Sequence, residues 1–246
     1  HVAFGYNPEQ MIIHDFNGVV KAGQKVAIVG PTGAGKTTMI KLLMRFYDVN
    51  SGEILIDGHN LKDFNRMDLR ELFGMVLQET WLFHGTIMEN IRYGRLDATD
   101  EEVIAAAKAA HAHHFIMSQP GGYQMVLNEE TSNISQGQKQ LLCIARVMLM
   151  HPAMLILDEA TSSIDTRTEV KVQKAFAELM EGRTSFVIAH RLSTLSNADR
   201  LIVLDKGRLA EFGTHAELMQ KKGVYYKLVM AQRQTTKMKK AQPQTC

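Results

Sequence analysis

The sequence predicts an α/β fold carrying a helical insertion, and three observations lead there. Short apolar strand-like runs lie toward both ends, Lys25-Val26-Ala27-Ile28-Val29 early and Met154-Leu155-Ile156-Leu157 late. The stretch 80–150 between them is mostly helical in its spacing. Strand and helix therefore alternate on both sides of a helical middle, the pattern of an α/β core interrupted by an insertion.

Residues 1–29 read as strands, the last of them stopping at Gly30. Residues 36–47 follow with helical spacing, which places Ile40, Leu43, Met44 and Tyr47 on one face. Gly52-Glu53-Ile54-Leu55-Ile56-Asp57-Gly58 reads as a strand closed by a turn signal. In the middle, Ala105 to Ala112 and Gln138 to Met150 are the clearest helices. Strands return at 153–158, 184–189 and 200–205, with helices between. The expected organisation is one domain over 1–230, with its core at 1–79 and 151–230 and a helical subdomain at about 80–150. Residues 231–246 form a polar tail with Lys237, Lys239 and Lys240, expected to fray.

Composition narrows the function. Of 246 residues, 45% are hydrophobic, enough for a substantial core, and 22% are charged, as is ordinary for a globular protein. A net charge of +2 provides no basic field for nucleic acid, so no nucleic-acid partner is expected. Apolar runs are too short to span a bilayer, and no secretory signal is visible. The chain opens at His1 inside what reads as a strand, which suggests that a segment upstream has been removed. Cys143 sits in an apolar helical run and reads as a small buried hydrophobe; Cys246 ends the tail. No disulfide between them is expected, and this cysteine usage suits a reducing cytoplasm.

Gly30-Pro31-Thr32-Gly33-Ala34-Gly35-Lys36-Thr37 matches G-x-x-x-x-G-K-[ST], between a strand and a helix as that motif requires, and Thr38 follows. Glycines let backbone N–H groups curl around phosphate oxygens, and the helix start adds positive dipole. Lys36 supplies a mobile cation for β- and γ-phosphates, and the Thr37 hydroxyl is a hard oxygen ligand for Mg²⁺. The late strand Met154 to Leu157 ends in Asp158-Glu159. An acidic pair there is costly unless it serves a cation or a proton transfer. Asp158 fits the metal shell, and Glu159 fits a general base acting on water.

With these pieces in place the sequence resembles the ABC ATPases over nearly its whole length. The discriminating segment is Ile134-Ser135-Gln136-Gly137-Gln138, similar to the family signature L-S-G-G-Q and, like it, followed by a helix. The resemblance implies a P-loop ATPase core with an antiparallel β subdomain and an inserted helical subdomain. It also implies further roles. Gln78, in Val76-Leu77-Gln78-Glu79, is similar to the glutamine-loop residue that reaches metal and attacking water. Ser163-Ile164-Asp165 is similar to the D-loop that crosses a dimer interface, and His190, in Ile188-Ala189-His190-Arg191, to the switch histidine on the γ-phosphate. Tyr6, in Val2-Ala3-Phe4-Gly5-Tyr6, is similar to the aromatic that stacks on adenine. Each alone would be ordinary: a half-buried strand aromatic, a structural histidine, a loop glutamine. Their common order carries the reading. His111, His113 and His114 lie where the family has no metal site and read as surface helix residues.

The run Leu82 to Gly94 resembles the stretch after the glutamine loop in exporters whose membrane helices are fused upstream. Residues 123–134 hold the place of the loop that touches the membrane domain, with Glu129 at its acidic position; Glu130 and Thr131 depart from the usual basic residue and glycine. The resemblance thus implies an ATP- and Mg²⁺-using ATPase at the cytoplasmic face of the cell membrane, fused to a transmembrane domain. Two such domains would meet head to tail, with Ser135, Gly137, Gln138 and Asp165 serving a nucleotide held mainly by the partner. Gln136 stands where the signature has its first glycine, which points to a heterodimer, a homodimer being the alternative. A soluble ABC ATPase and an importer subunit are the competing functions.

Overall fold

The protein is described by a computed structural model that covers residues 1–7, 9–159, 164–189 and 191–241. The chain divides into two compact units, His1–Arg70 with Phe186–Cys246, and Glu71–Ser185.

The first unit opens with β1 (Val2–Phe4) and β2 (Ile13–Phe16), an antiparallel pair that buries Val2, Phe4 and Ile13 against Leu42. Strand β3 (Lys25–Val29) runs almost wholly buried into the glycine-rich turn, and α1 (Lys36–Leu43) leaves it. The helix ends earlier than its spacing suggests. Arg45 takes a left-handed φ of 49°, and its guanidinium donates to Asp48 Oδ1 (2.7 Å) and to the Leu61 carbonyl (3.0 Å). That turn ejects Tyr47 from the expected apolar face and leaves it exposed. The strand expected at 52–58 shrinks to β4 (Leu55–Ile56), paired with β5 (His59–Asn60). Asp57 and Gly58 between them both have positive φ, 49° and 83°, the turn that matches strand twist in a two-residue hairpin. Helix α2 (Arg66–Glu71) closes this part of the chain.

The second unit holds β6 (Phe73–Val76), β7 (Gly85–Thr86), α3 (Ile87–Arg92), α4 (Asp100–Ala109), α5 (His113–Met117), β8 (Val126–Leu127), α6 (Gln136–Met150), β9 (Met154–Asp158) and α7 (Thr166–Met180). It is mostly helical across 80–150, with one departure: β7 and β8 pair as a short antiparallel ribbon. Helix α4 starts where Thr99 and Glu102 cap each other's backbone and Asp100, Glu101 and Glu102 meet the positive helix end. Helix α6 buries Leu141, Leu142, Ile144 and Ala145, and Cys143 is buried with them, its thiol acidity weakened by desolvation. Cys246 lies outside the described residues.

The three histidines are not all helical. His111 sits in the turn after α4 with φ 55°, its Nε2 3.0 Å from Glu178 Oε1, while His113 Nδ1 is 2.8 Å from the Tyr123 hydroxyl. Only His114 is an exposed helix residue. Among the described residues no group of three or more His, Cys, Asp or Glu could hold a metal.

Strand β10 (Thr184–Ile188) returns the chain to the first unit, completed by α8 (Leu192–Asn197), β11 (Arg200–Asp205), β12 (Arg208–Gly213), α9 (His215–Lys221) and α10 (Val224–Ala241). Strand β11 pairs in parallel with β3 (Ile202 opposite Ile28) and antiparallel with β12 (Ile202 opposite Phe212). Fully buried Tyr225 fastens α10: its N–H donates to Glu211 Oε2 (2.7 Å), and its hydroxyl is 2.6 Å from His215 Nδ1. The polar residues past 231 continue this helix to Ala241. Mixed pairing with flanking helices is the α/β fold the sequence predicts. No helix of the described residues is long and apolar enough to cross a membrane.

Candidate functional site

The first unit carries the turn from β3 to α1. Gly30, Gly33 and Gly35 have φ of 155°, 79° and 102°, values that a side chain resists. A Cβ on Gly30 would overlap the Leu204 carbonyl oxygen, whereas one on Gly33 would meet nothing within 4 Å. The loop is therefore pressed onto β11 at its start and open at its crest. Ala34 N–H closes the turn on the Pro31 carbonyl (3.1 Å), while the N–H groups of Gly33 and Gly35 make no hydrogen bond among the described residues. Gly35 is also the N-cap of α1 and offers it no side-chain acceptor, so the first turn of the helix presents its donors outward. Lys36 Nζ donates to the carbonyls of Gly30 (2.7 Å) and Pro31 (3.0 Å), which folds the ammonium over the loop. Pro31, Thr32 and Thr37 are exposed; Thr38 is buried. Open N–H groups, a helix start and an ammonium converge here, a donor set for phosphate oxygens.

Tyr6 stands beside α1 with 43% of its surface exposed. Its hydroxyl is 3.5 Å from Thr38 Oγ1, and its ring meets Phe4 and Tyr47 edge-on at 5.1 and 5.0 Å. Gly5 N–H donates to Asn50 Oδ1 (2.7 Å), which anchors the backbone that carries Tyr6.

The second unit carries its own candidate residues. Strands β6 and β9 are parallel, with Val76 opposite Leu157. Gln78 and Glu159 each follow that pair by two residues, so register alone brings them out at the same end of adjacent strands, where ligands of open α/β sheets bind. Gln78 is exposed, and Glu159 is only 3% exposed. Asp158 ends β9 itself. The oxygens of Thr37, Gln78 and Asp158 are of the hard kind that a Mg²⁺ shell uses.

Ser135 caps α6: its Oγ accepts from Gln138 N–H (3.3 Å), while Gln138 Oε1 accepts from Ser135 N–H (2.9 Å). This reciprocal capping was legible as S-x-x-Q before an apolar helix and is a role that sequence reasoning missed. Gly137 has no room for a Cβ, which would fall 2.8 Å from Ile164 Cγ2 and overlap Thr168 Cγ2. Gln136 is exposed, and its amide donates to Thr80 Oγ1 (3.2 Å). Asp165 caps α7 by accepting from the N–H groups of Arg167 (3.1 Å) and Thr168 (3.0 Å), and the Thr168 bond leads in holding its carboxyl below the usual range. His190 and Ser163 lie outside the described residues.

The stretch 82–94 is fixed by Asn90, which is fully buried, accepts from Phe83 N–H (3.0 Å) and donates to the carbonyls of Phe83 (3.0 Å) and Thr86 (3.1 Å). Trp81, Phe83 and Tyr93 cluster with centroids 5.6–5.9 Å apart. The Arg146 guanidinium lies 5.6 Å from the Trp81 ring and donates to the Trp81 carbonyl (2.9 Å). Trp81 remains 58% exposed, an apolar surface that sequence spacing could not assemble from residues 81, 83, 93 and 146. Glu129 stands exposed in the turn beyond β8.

A phosphate-accepting loop on a helix start, with an acidic residue two places past a parallel register pair, defines a P-loop nucleotide-binding domain. The chain belongs to the ABC transporter family, whose model matches residues 13–162. It is 57% identical over 231 residues to an uncharacterized ABC transporter ATP-binding protein of Bacillus subtilis, covering 94% of this chain and 38% of the relative. It is 53% identical over 231 residues to the fatty acid ABC transporter ATP-binding/permease protein of Mycobacterium bovis, covering 94% of this chain and 37% of that one. A solved bacterial Atm1-family ABC exporter with ATP bound superposes with a TM-score of 0.87 at 44% identity, covering 94% of this chain and 40% of the exporter. The chain thus spans less than half the length of these relatives. The part of those proteins that it matches is the ATP-binding part, so the chain is an ATP-binding domain of the ABC transporter family.

Proposed function

We propose that this domain couples Mg²⁺-dependent ATP hydrolysis to export, working at the cytoplasmic face of the cell membrane beneath a transmembrane part. The observation that carries the reading is the loop of three left-handed glycines opening onto an uncapped helix start. In this reading the loop N–H groups and Lys36 hold the phosphates, with Tyr6 offering its exposed ring to adenine. Thr37, Gln78 and Asp158 would hold Mg²⁺. Bound there, the ion would neutralise charge on the β- and γ-phosphates. Glu159 accepts the proton of the attacking water, and Gln78 orients that water. His190, by its place in the sequence, contacts the γ-phosphate. The exposed Trp81–Phe83–Tyr93 surface and Glu129 meet the transmembrane part. One relative is named for fatty acid, which makes a fatty acid one candidate cargo. In the full-length protein, chelating divalent cations is expected to cut steady-state ATP hydrolysis by on the order of a hundredfold or more; turnover that persists in EDTA contradicts the metal role.

The second domain, in this reading, belongs to a different chain. Ser135 and the start of α6 face the partner's nucleotide, and Gln136 places a side chain where glycine allows the closest backbone approach. Lys36, Asp158, Glu159 and His190 keep this chain's own site complete, so a partner with a glycine in that position completes the active site. Full-length protein expressed alone is expected to turn over ATP weakly, and Gln136→Gly is expected to alter the partner's site only. A stable homodimer with vigorous ATPase at two equivalent sites contradicts the heterodimer.

A further inference from the structure

Residues 80 and 81 lie along one flank of α6. Gln136 Nε2 donates to Thr80 Oγ1 (3.2 Å), Arg146 Nη1 donates to the Trp81 carbonyl (2.9 Å), and Cys143 Sγ is 3.9 Å from that same carbonyl oxygen. At ~100° per residue, positions 136, 143 and 146 fall within about 80° of one another around the helix, so they share a face. Gln136 is the first residue of α6 and is exposed. Its amide is nevertheless turned toward this flank, where half-buried Thr80 holds it. The helix start itself presents backbone. Ser135 Oγ accepts from the Gln138 N–H (3.3 Å), whereas the N–H groups of Gln136 and Gly137 make no hydrogen bond among the described residues. They are the orphan donors of a helix N-terminus, which point along its axis.

Resting on the reading that the start of α6 faces a partner's nucleotide, we propose that Thr80 is a positioning residue: it holds the Gln136 side chain against the flank of α6 and keeps the helix start open to phosphate. The chemistry of the pair supports this role. The Thr80 hydroxyl oxygen is an acceptor, and the Gln136 amide brings both a donor and an acceptor. Released from Thr80, the glutamine samples its other rotamers. Some of these carry the amide across the helix start, where its bulk obstructs a phosphate and its Oε1 competes for the Gln136 and Gly137 N–H groups. A glycine at 136 needs no such holder, so the demand for Thr80 comes from the glutamine itself. One neutral hydrogen bond shifts a population by about two- to tenfold, which sets the size of the effect.

The test measures release of a labelled, nonhydrolysable ATP analogue with Mg²⁺ from the full-length protein in its native pairing. Thr80→Val keeps the shape of the side chain and removes the acceptor; it should speed release by about two- to tenfold, the scale of the lost bond. Thr80→Ser keeps the hydroxyl and should keep the wild-type rate. Thr80 stands two residues after Gln78, so the valine variant has a second route, through that loop. Repeating it in a Gln136→Gly background separates the two: with no side chain to hold, Thr80→Val should change nothing further. Gln136→Phe, bulky and without a donor for Thr80, should speed release at least as much as Thr80→Val. If Thr80→Val acts equally in both backgrounds, Thr80 works through the Gln78 loop and the proposal is overturned. If Thr80→Val leaves release unmoved or slows it while Gln136→Phe speeds it, α6 faces the nucleotide and the assignment to Thr80 is overturned. If Gln136→Phe leaves release unmoved, the reading of α6 as facing a nucleotide itself fails, and the role of Thr80 with it.

Discussion

Glu159→Gln is expected to leave ATP binding near its wild-type level and to lower steady-state turnover of the full-length protein by about 10²–10⁴-fold, the usual contribution of a positioned general base. The amide has nearly the shape of the carboxylate but cannot take a proton from water. Glu159 is 3% exposed and follows three buried residues of β9, so its backbone position is set by the strand rather than by its own charge. Glutamine has nearly the volume of glutamate, so the end of β9 should pack as it does in wild type. Lys36, Thr37 and the loop amides are untouched, which is why binding and chemistry should separate. Phosphate release and nucleotide binding, measured on one preparation, decide the matter; near-wild-type hydrolysis removes Glu159 from the role of base.

The parts of this site that could be read from the sequence are those fixed by local chemistry. A glycine-rich turn between strand and helix declares its positive φ values, and an acidic pair after an apolar strand declares a cost that needs a reason. What the sequence could not declare was register. Gln78 and Glu159 are separated by most of the second unit, and only the pairing of Val76 with Leu157 shows them at equivalent places. Helix ends failed for a related reason. The apolar period continues to Tyr47, but Arg45 finds Asp48 and the Leu61 carbonyl, and those tertiary bonds end α1 at Leu43. The Trp81–Phe83–Tyr93 surface was illegible because its organiser, Arg146, comes from α6. The capping role of Ser135 and Gln138, by contrast, was present in the spacing and was hidden by the family signature that overlaps it.

Gly30→Ala is expected to be the most damaging small substitution in the phosphate loop, and Gly33→Ala is its control. Both residues have positive φ, so both variants carry backbone strain of roughly 1–2 kcal/mol. They differ in surroundings. At Gly33 an added Cβ meets nothing within 4 Å. At Gly30 it overlaps the Leu204 carbonyl oxygen and comes 3.1 Å from the Ala34 Cβ. Leu204 belongs to β11, and the preceding Val203 is in register with Val29 of β3, so neither backbone can withdraw without opening the parallel pair. The clash adds a further ~2 kcal/mol or more to the strain, within the range of overpacking in a tight core. For a protein of this size, a total loss of about 3–4 kcal/mol corresponds to a fall in Tm of roughly 6–16 °C, against about 2–8 °C for Gly33→Ala. ATP binding should fall in both variants, because the loop amides must share one curvature to reach a phosphate. Only Gly30→Ala should also loosen the β3–β11 pairing, which hydrogen exchange at Ile28 and Val29 would register as faster opening. Equal melting temperatures for the two variants would mean that β11 yields to the loop, and that the approach of Gly30 to Leu204 does not fix the shape of the phosphate site.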